Sequence, residues 1–154
     1  MKIICIDDKQ DELDKAKDAV EKAGHDFIGI LAGQKDLIEW IFQIENSNVD
    51  AVITDMFFNA VDARHRHAFN YDNPPPAGLI VVLHSIAHNK PVVVCSSMDC
   101  DYKENYHHGA KHGWIWDGYL NTAMDEEHNP VFRLVRQKDW ELAVNCIIEE
   151  IIKK

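Results

Sequence analysis

Apolar positions along this chain fall into short solid runs, separated by longer stretches in which they recur three and four residues apart. Lys2 to Ile6, Phe27 to Leu31, Ala51 to Thr54 and Val92 to Cys95 are the short runs. They have the pattern of strands buried on both faces. Between them, Leu13, Ala16, Val20 and Ala23 share one face of a helix predicted over Gln10–Ala23, which Gly24 stops. Leu37, Ile38, Ile41 and Ile44 do the same over Lys35–Ile44, ended by Asn46-Ser47-Asn48. Leu79, Ile80, Leu83 and Ile86 mark the expected core face of a helix over Ala77–His88. A short helix over Asp101–His108, a fifth strand at Trp114–Trp116 and a closing helix over Asp139–Ile152 complete the pattern. In the closing helix Trp140, Val144, Ile147, Ile148 and Ile151 face inward. Alternating strands and helices imply a parallel sheet covered on both faces. The expected fold is therefore α/β, three-layered and doubly wound, with five strands in a single domain over residues 1–154.

Two segments depart from this rhythm. Met56 to Pro76 holds Arg64-His65-Arg66-His67 and Pro74-Pro75-Pro76, and three prolines cannot lie inside a helix. It reads as an inserted loop at about 56–76, either a lid, a docking element or a neutral elaboration. The connection over 117–138 is irregular, with Phe132 to Val135 a candidate extra strand.

Charge narrows the function. The formal net charge is −10, so nucleic acid and anionic membrane surfaces are repelled. No apolar run reaches the roughly 20 residues of a membrane span. Asp7, Asp8 and Asp11 stand where a secretory leader needs an apolar core. The expected location is cytoplasmic, with Cys5, Cys95, Cys100 and Cys146 as reduced thiols. Among the histidines, His65 and His67, and His107, His108 and His112, have no carboxylate or cysteine partner at metal-site spacing. They read as surface residues. Trp40 and Trp140 read as core.

The candidate chemistry lies where strands end: Cys5-Ile6-Asp7-Asp8, Val52-Ile53-Thr54-Asp55 and Val94-Cys95-Ser96-Ser97. Carboxyl-terminal strand ends of a parallel sheet share one edge, where ligands bind. Three carboxylates brought together there repel one another, and a divalent cation relieves the repulsion. Glycine-rich phosphate loops and a nucleophile elbow are both missing from the sequence.

In order and strand placement, Asp7-Asp8, Asp55 and Ser96, with Pro91-Val92-Val93-Val94-Cys95-Ser96-Ser97 and Gly109-Ala110, resemble the receiver (response-regulator) domain family of two-component signalling. The resemblance implies a flavodoxin-like fold, with Asp55 as phosphoacceptor and Ser96 as the switch hydroxyl. Asp8, Asp55 and the backbone carbonyl of Phe57 would ligate Mg²⁺ directly, and Asp7 through a metal-bound water. A histidine kinase or phosphotransfer protein would donate the phosphoryl group. A downstream protein target would read the result, since no output domain fits in the remaining length.

The family's fifth strand is followed by a lysine. Here the expected fifth strand leads into Asp117, an anion where a cation is needed. Lys9, Lys111, Arg64 and Arg66 are the candidate substitutes. Three readings follow: a stand-alone receiver, an atypical receiver that docks independently of phosphate, and a small Mg²⁺-dependent phosphohydrolase with Asp55 as nucleophile.

Overall fold

A strand covered on both faces is apolar along most of its length, and the central strands here are so until their carboxyl ends, where Asp7, Thr54 and Ser96 stand. The computed structural model describes residues 1–32, 37–46, 48–56, 77–96 and 133–152. In chain order these form β1 (Lys2–Asp7), α1 (Gln10–Lys22), β2 (Asp26–Leu31), α2 (Leu37–Asn46), β3 (Ala51–Thr54), α3 (Gly78–Ala87), β4 (Val92–Ser96), β5 (Arg133–Arg136) and α4 (Trp140–Ile152). The strands make one sheet in the order β2-β1-β3-β4-β5, each pair parallel. This is the expected flavodoxin-like arrangement. The connections reverse direction between β1 and β3, and in such sheets the crevice at that reversal is where ligands bind.

Alternate residues of each strand feed opposite cores. Ile4, Ile6, Val52, Val92 and Val94 pack with Ile44 of α2 and with Val81 and Val82 of α3. Ile3, Cys5, Ile53, Val93 and Cys95 pack with Leu13 and Val20 of α1 and with Val144 and Ile147 of α4. Trp140 is buried as expected, and its indole N–H donates to Glu12 Oε2 at 2.9 Å, joining α4 to α1. The side chain of Trp40 lies outside what the structure describes. Gly24 ends α1 with φ at +79°, a conformation that costs glycine nothing.

Two sequence expectations are corrected. The strand beside β4 is Arg133–Arg136, with Val94 opposite Leu134 and Ser96 opposite Arg136. The candidate extra strand therefore takes the fifth place in the sheet. Trp114–Trp116, Asp117 and the Asp101–His108 helix lie outside the described residues, as does the loop beyond Met56 up to Pro76.

The second correction concerns α3. Ile80 and Leu83 are exposed, at 43% and 49%, while Gly78, Val81, Val82 and Ser85 face inward. The α3 sequence, GLIVVLHSIA, is apolar nearly throughout, so hydrophobic spacing alone cannot phase it. Gly78 supplies the phase. A Cβ built there would collide with the Asp55 carbonyl and stand 2.8 Å from Met56 Cα. Residues 78, 81, 82 and 85 are the i, i+3, i+4, i+7 set that this approach turns toward the sheet. Ser85 is tolerated inside because its hydroxyl donates to the Val81 carbonyl at 2.7 Å.

Gly78→Ala should therefore destabilise the fold by about 1–3 kcal/mol through overpacking. Urea unfolding followed by circular dichroism measures the effect. Wild-type stability in the variant would contradict the proposed packing of α3.

Candidate functional site

Sheet register brings the acidic residues together. Cys5 pairs with Ile53 and Ile6 with Thr54, so Asp7 and Asp55 are the next neighbours along the two strands. The Asp55 N–H continues the ladder by donating to the Ile6 carbonyl at 2.9 Å. Asp7 and Asp55 are buried, and Asp8 is partly exposed at the rim. Oxygens of all three carboxylates lie within 4.8 Å of one another.

A cation joins them that sequence reasoning missed. Lys138 Nζ stands 2.5 Å from Asp7 Oδ2 and 2.9 Å from Asp55 Oδ2. Each carboxylate's other oxygen is held by the backbone: Lys9 N–H donates to Asp7 Oδ1 at 2.9 Å, and Met56 N–H donates to Asp55 Oδ1 at 2.7 Å. Lys138 reaches the pocket from the turn between β5 and α4. Gln137 and Lys138 both take left-handed backbone conformations, with φ of 60° and 49°. Such a conformation is costly for non-glycine residues and often marks functional positions. The Lys138 N–H also donates to the Ser96 carbonyl at 3.3 Å, tying the turn to the end of β4.

Lys138 was legible in one respect: it lies just before the closing helix, after a short apolar run. The expected fifth strand was Trp114–Trp116, which put Asp117 in the lysine's place. Among the described residues, the cation that stands at these carboxylates is Lys138. Arg64, Arg66 and Lys111 lie outside the described residues. Of the remaining site residues, Ser96 is buried at the end of β4 on the same edge. Phe57, whose carbonyl was expected to ligate the metal directly, is outside the described residues.

The electrostatics follow from burial. Burial raises the Asp7 carboxyl from its ordinary 3.8 to about 6, and the neighbouring Asp55 adds to the rise while Lys138 opposes it. Burial alone would lower the Lys138 ammonium, but Asp55 and Asp7 together outweigh it and hold it above its usual value. The pocket thus sets one ammonium against three acidic side chains. Its donors are all oxygen, the set that a hard divalent cation prefers. Cys5 and Cys95 are close by, but burial pushes both thiols far up, so neither supplies a thiolate nucleophile.

No model of a known protein family and no curated protein sequence matches the chain. Solved structures do match. A response regulator receiver domain protein from Clostridium thermocellum aligns over 99% of this chain and 98% of its own, at 19% identity and TM-score 0.54. A two-component response regulator from Clostridium difficile aligns over 100% and 97%, at 16% identity and TM-score 0.58. A de novo designed Rossmann 2x3 protein also aligns, over 99% and 89%, at 18% identity and TM-score 0.51. The chain has the fold of receiver domains. The designed protein among its neighbours illustrates that such likeness concerns architecture, and chemistry must be argued from the pocket. Among the described residues no helix is long and apolar enough to cross a membrane.

Two outcomes are expected. Lys138→Ala leaves two buried carboxylates without their shared ammonium, so the metal-free protein should lose about 3 kcal/mol. Millimolar Mg²⁺ should restore much of that loss in a thermal-shift assay, whereas an equal loss with and without Mg²⁺ would rule out a cation site. The second outcome concerns pH. Asp7 titrates near 3.8 when unfolded and near 6 when folded, so between those values the native state holds the extra proton. Its contribution to stability is present below pH 3.8 and is lost as pH rises through about 6. Asp7→Asn should remove that downward slope from metal-free urea-unfolding stabilities measured across pH 4–7.

Proposed function

We propose that the chain is a receiver that takes a phosphoryl group onto Asp55 with Mg²⁺ and signals through protein contacts. The observation carrying this reading is the meeting of Asp7, Asp8, Asp55 and Lys138 at the strand-end edge of a receiver fold. An Asp55 carboxylate oxygen would attack the phosphorus of the donor. The bond from phosphorus to the donor's leaving atom would break, leaving an acyl phosphate on Asp55. Such transfer needs positioning and charge neutralisation more than covalent help. Asp8, Asp55 and the Phe57 carbonyl would hold Mg²⁺, with Asp7 acting through a bound water. Mg²⁺ would supply the charge that lets an anionic carboxylate approach an anionic phosphate.

Lys138 would move from the carboxylates to a phosphoryl oxygen, as its flexible stem and compact charge allow. Ser96 would then follow the new charge and change the adjacent surface. The donor would be a histidine kinase or phosphotransfer protein, and the reader a second protein. The phosphate-independent alternative rested on Asp117 in the lysine's position and on the long loop at about 56–76; Lys138 bears against the first ground, and the loop beyond Met56 lies outside the described residues. The sequence has no glycine-rich phosphate loop after any strand, so nucleotide chemistry finds no support there.

Incubation with acetyl phosphate and Mg²⁺ should add one phosphoryl group by intact mass, and Asp55→Asn should abolish the addition. Lys138→Ala should slow it by on the order of a hundredfold, the scale for losing one charge-stabilising donor. Addition that survives Asp55→Asn would overturn the assignment. Steady release of phosphate at many turnovers would instead mark a phosphohydrolase.

A further inference from the structure

A second convergence of metal-binding side chains lies at the opposite edge of the sheet, where α2 and α3 end. His84 and His88 are one helical turn apart, so their rings lie on one face of α3 with centroids 4.5 Å apart. Glu45, near the end of α2, presents one carboxylate oxygen to both. Its Oε1 is 3.2 Å from His84 Nε2 and 3.4 Å from His88 Nε2. The ligand atoms of all three residues lie within 4.8 Å of one another.

Two details favour an ion over a set of ordinary hydrogen bonds. His84 Nε2 is buried and has no hydrogen-bond partner, although an oxygen stands within reach. The spacing also suits coordination. Two ligands each about 2.0–2.1 Å from a tetrahedral ion stand about 3.3 Å apart, which matches both nitrogen–oxygen separations. Helical histidines at i and i+4 are a recurring metal-binding pair, and a carboxylate from a second element completes three ligands. The Glu45 and His88 side chains are 37% and 41% exposed, so an ion can enter from solvent.

We propose that Glu45, His84 and His88 form a site for a divalent transition-metal ion of the zinc type, with the fourth position left to water or to an outside ligand. Imidazole nitrogen selects Zn²⁺, Co²⁺ or Ni²⁺ over Mg²⁺, so this site and the acid pocket differ in metal preference. Bound metal would clamp the end of α2 to the end of α3, which connects directly into β4. Sequence spacing gives the His84 and His88 pair on the helix predicted over Ala77–His88, but not the third ligand, because Glu45 is remote along the chain and joins them only once α2 packs beside α3.

The test titrates the chelator-stripped chain with Co²⁺ and Zn²⁺ in millimolar Mg²⁺, which occupies oxygen-only sites. The visible absorption of Co²⁺ reports nitrogen ligation, and calorimetry gives the Zn²⁺ stoichiometry. The expected result is one equivalent bound. His84→Ala and His88→Ala should each weaken it roughly a hundredfold, no less than loss of a supporting residue costs a metal site. Glu45→Gln, at an exposed position, keeps the test valid if either alanine variant folds poorly. Binding should persist in Asp55→Asn, which separates this site from the phosphoryl-acceptor reading. Unchanged Zn²⁺ affinity in the Glu45 and histidine variants, or no binding by the intact chain, would overturn the proposal.

Discussion

The buried contact of Lys138 with Asp7 and Asp55 is the constraint around which the strand-end edge is organised. Two carboxylates on adjacent strands, both out of solvent, are unfavourable unless a positive charge stands between them. The sheet cannot move them apart, because the pairing of β1 with β3 fixes their separation. The lysine must therefore come from elsewhere, and it arrives on the turn after β5, two strands away from β3. Its backbone N–H is tied to the end of β4, so the ammonium is held by the same ladder that holds the acids.

This arrangement keeps the pocket poised. Lys138 satisfies one oxygen of each buried carboxylate, and backbone N–H groups satisfy the other. What remains is one ammonium set against three acidic side chains, with Asp8 at the rim. Asp8 is thus the point at which the acidic cluster meets solvent. The raised Asp7 carboxyl reflects burial first, with Asp55 adding to a rise that Lys138 only partly offsets.

The sheet and the acids were legible in the sequence because both depend on local pattern. Solid apolar runs give β1, β3 and β4 nearly to the residue, and abrupt carboxylates at their ends give Asp7, Asp8 and Asp55. What could not be read depended on packing. The face of α3 follows from Gly78 pressing on the Asp55–Met56 backbone, and an almost wholly apolar helix carries no record of that choice. The fifth strand is only four residues long, Arg133 to Arg136, and begins and ends with arginine. Trp114-Ile115-Trp116 has stronger strand propensity, so a reading based on propensity prefers it. Lys138 was misplaced for the same reason, since its assignment depends on which strand comes fifth.

Register, not chain adjacency, holds the lysine at the acids. Val93, Val94, Cys95 and Ser96 pair with Arg133 to Arg136, and this alignment defines the geometry however the backbone travels between positions 97 and 132. The ammonium and the acids therefore depend on one ladder: a change that slips β5 against β4 by a single residue would displace the charge together with the strand.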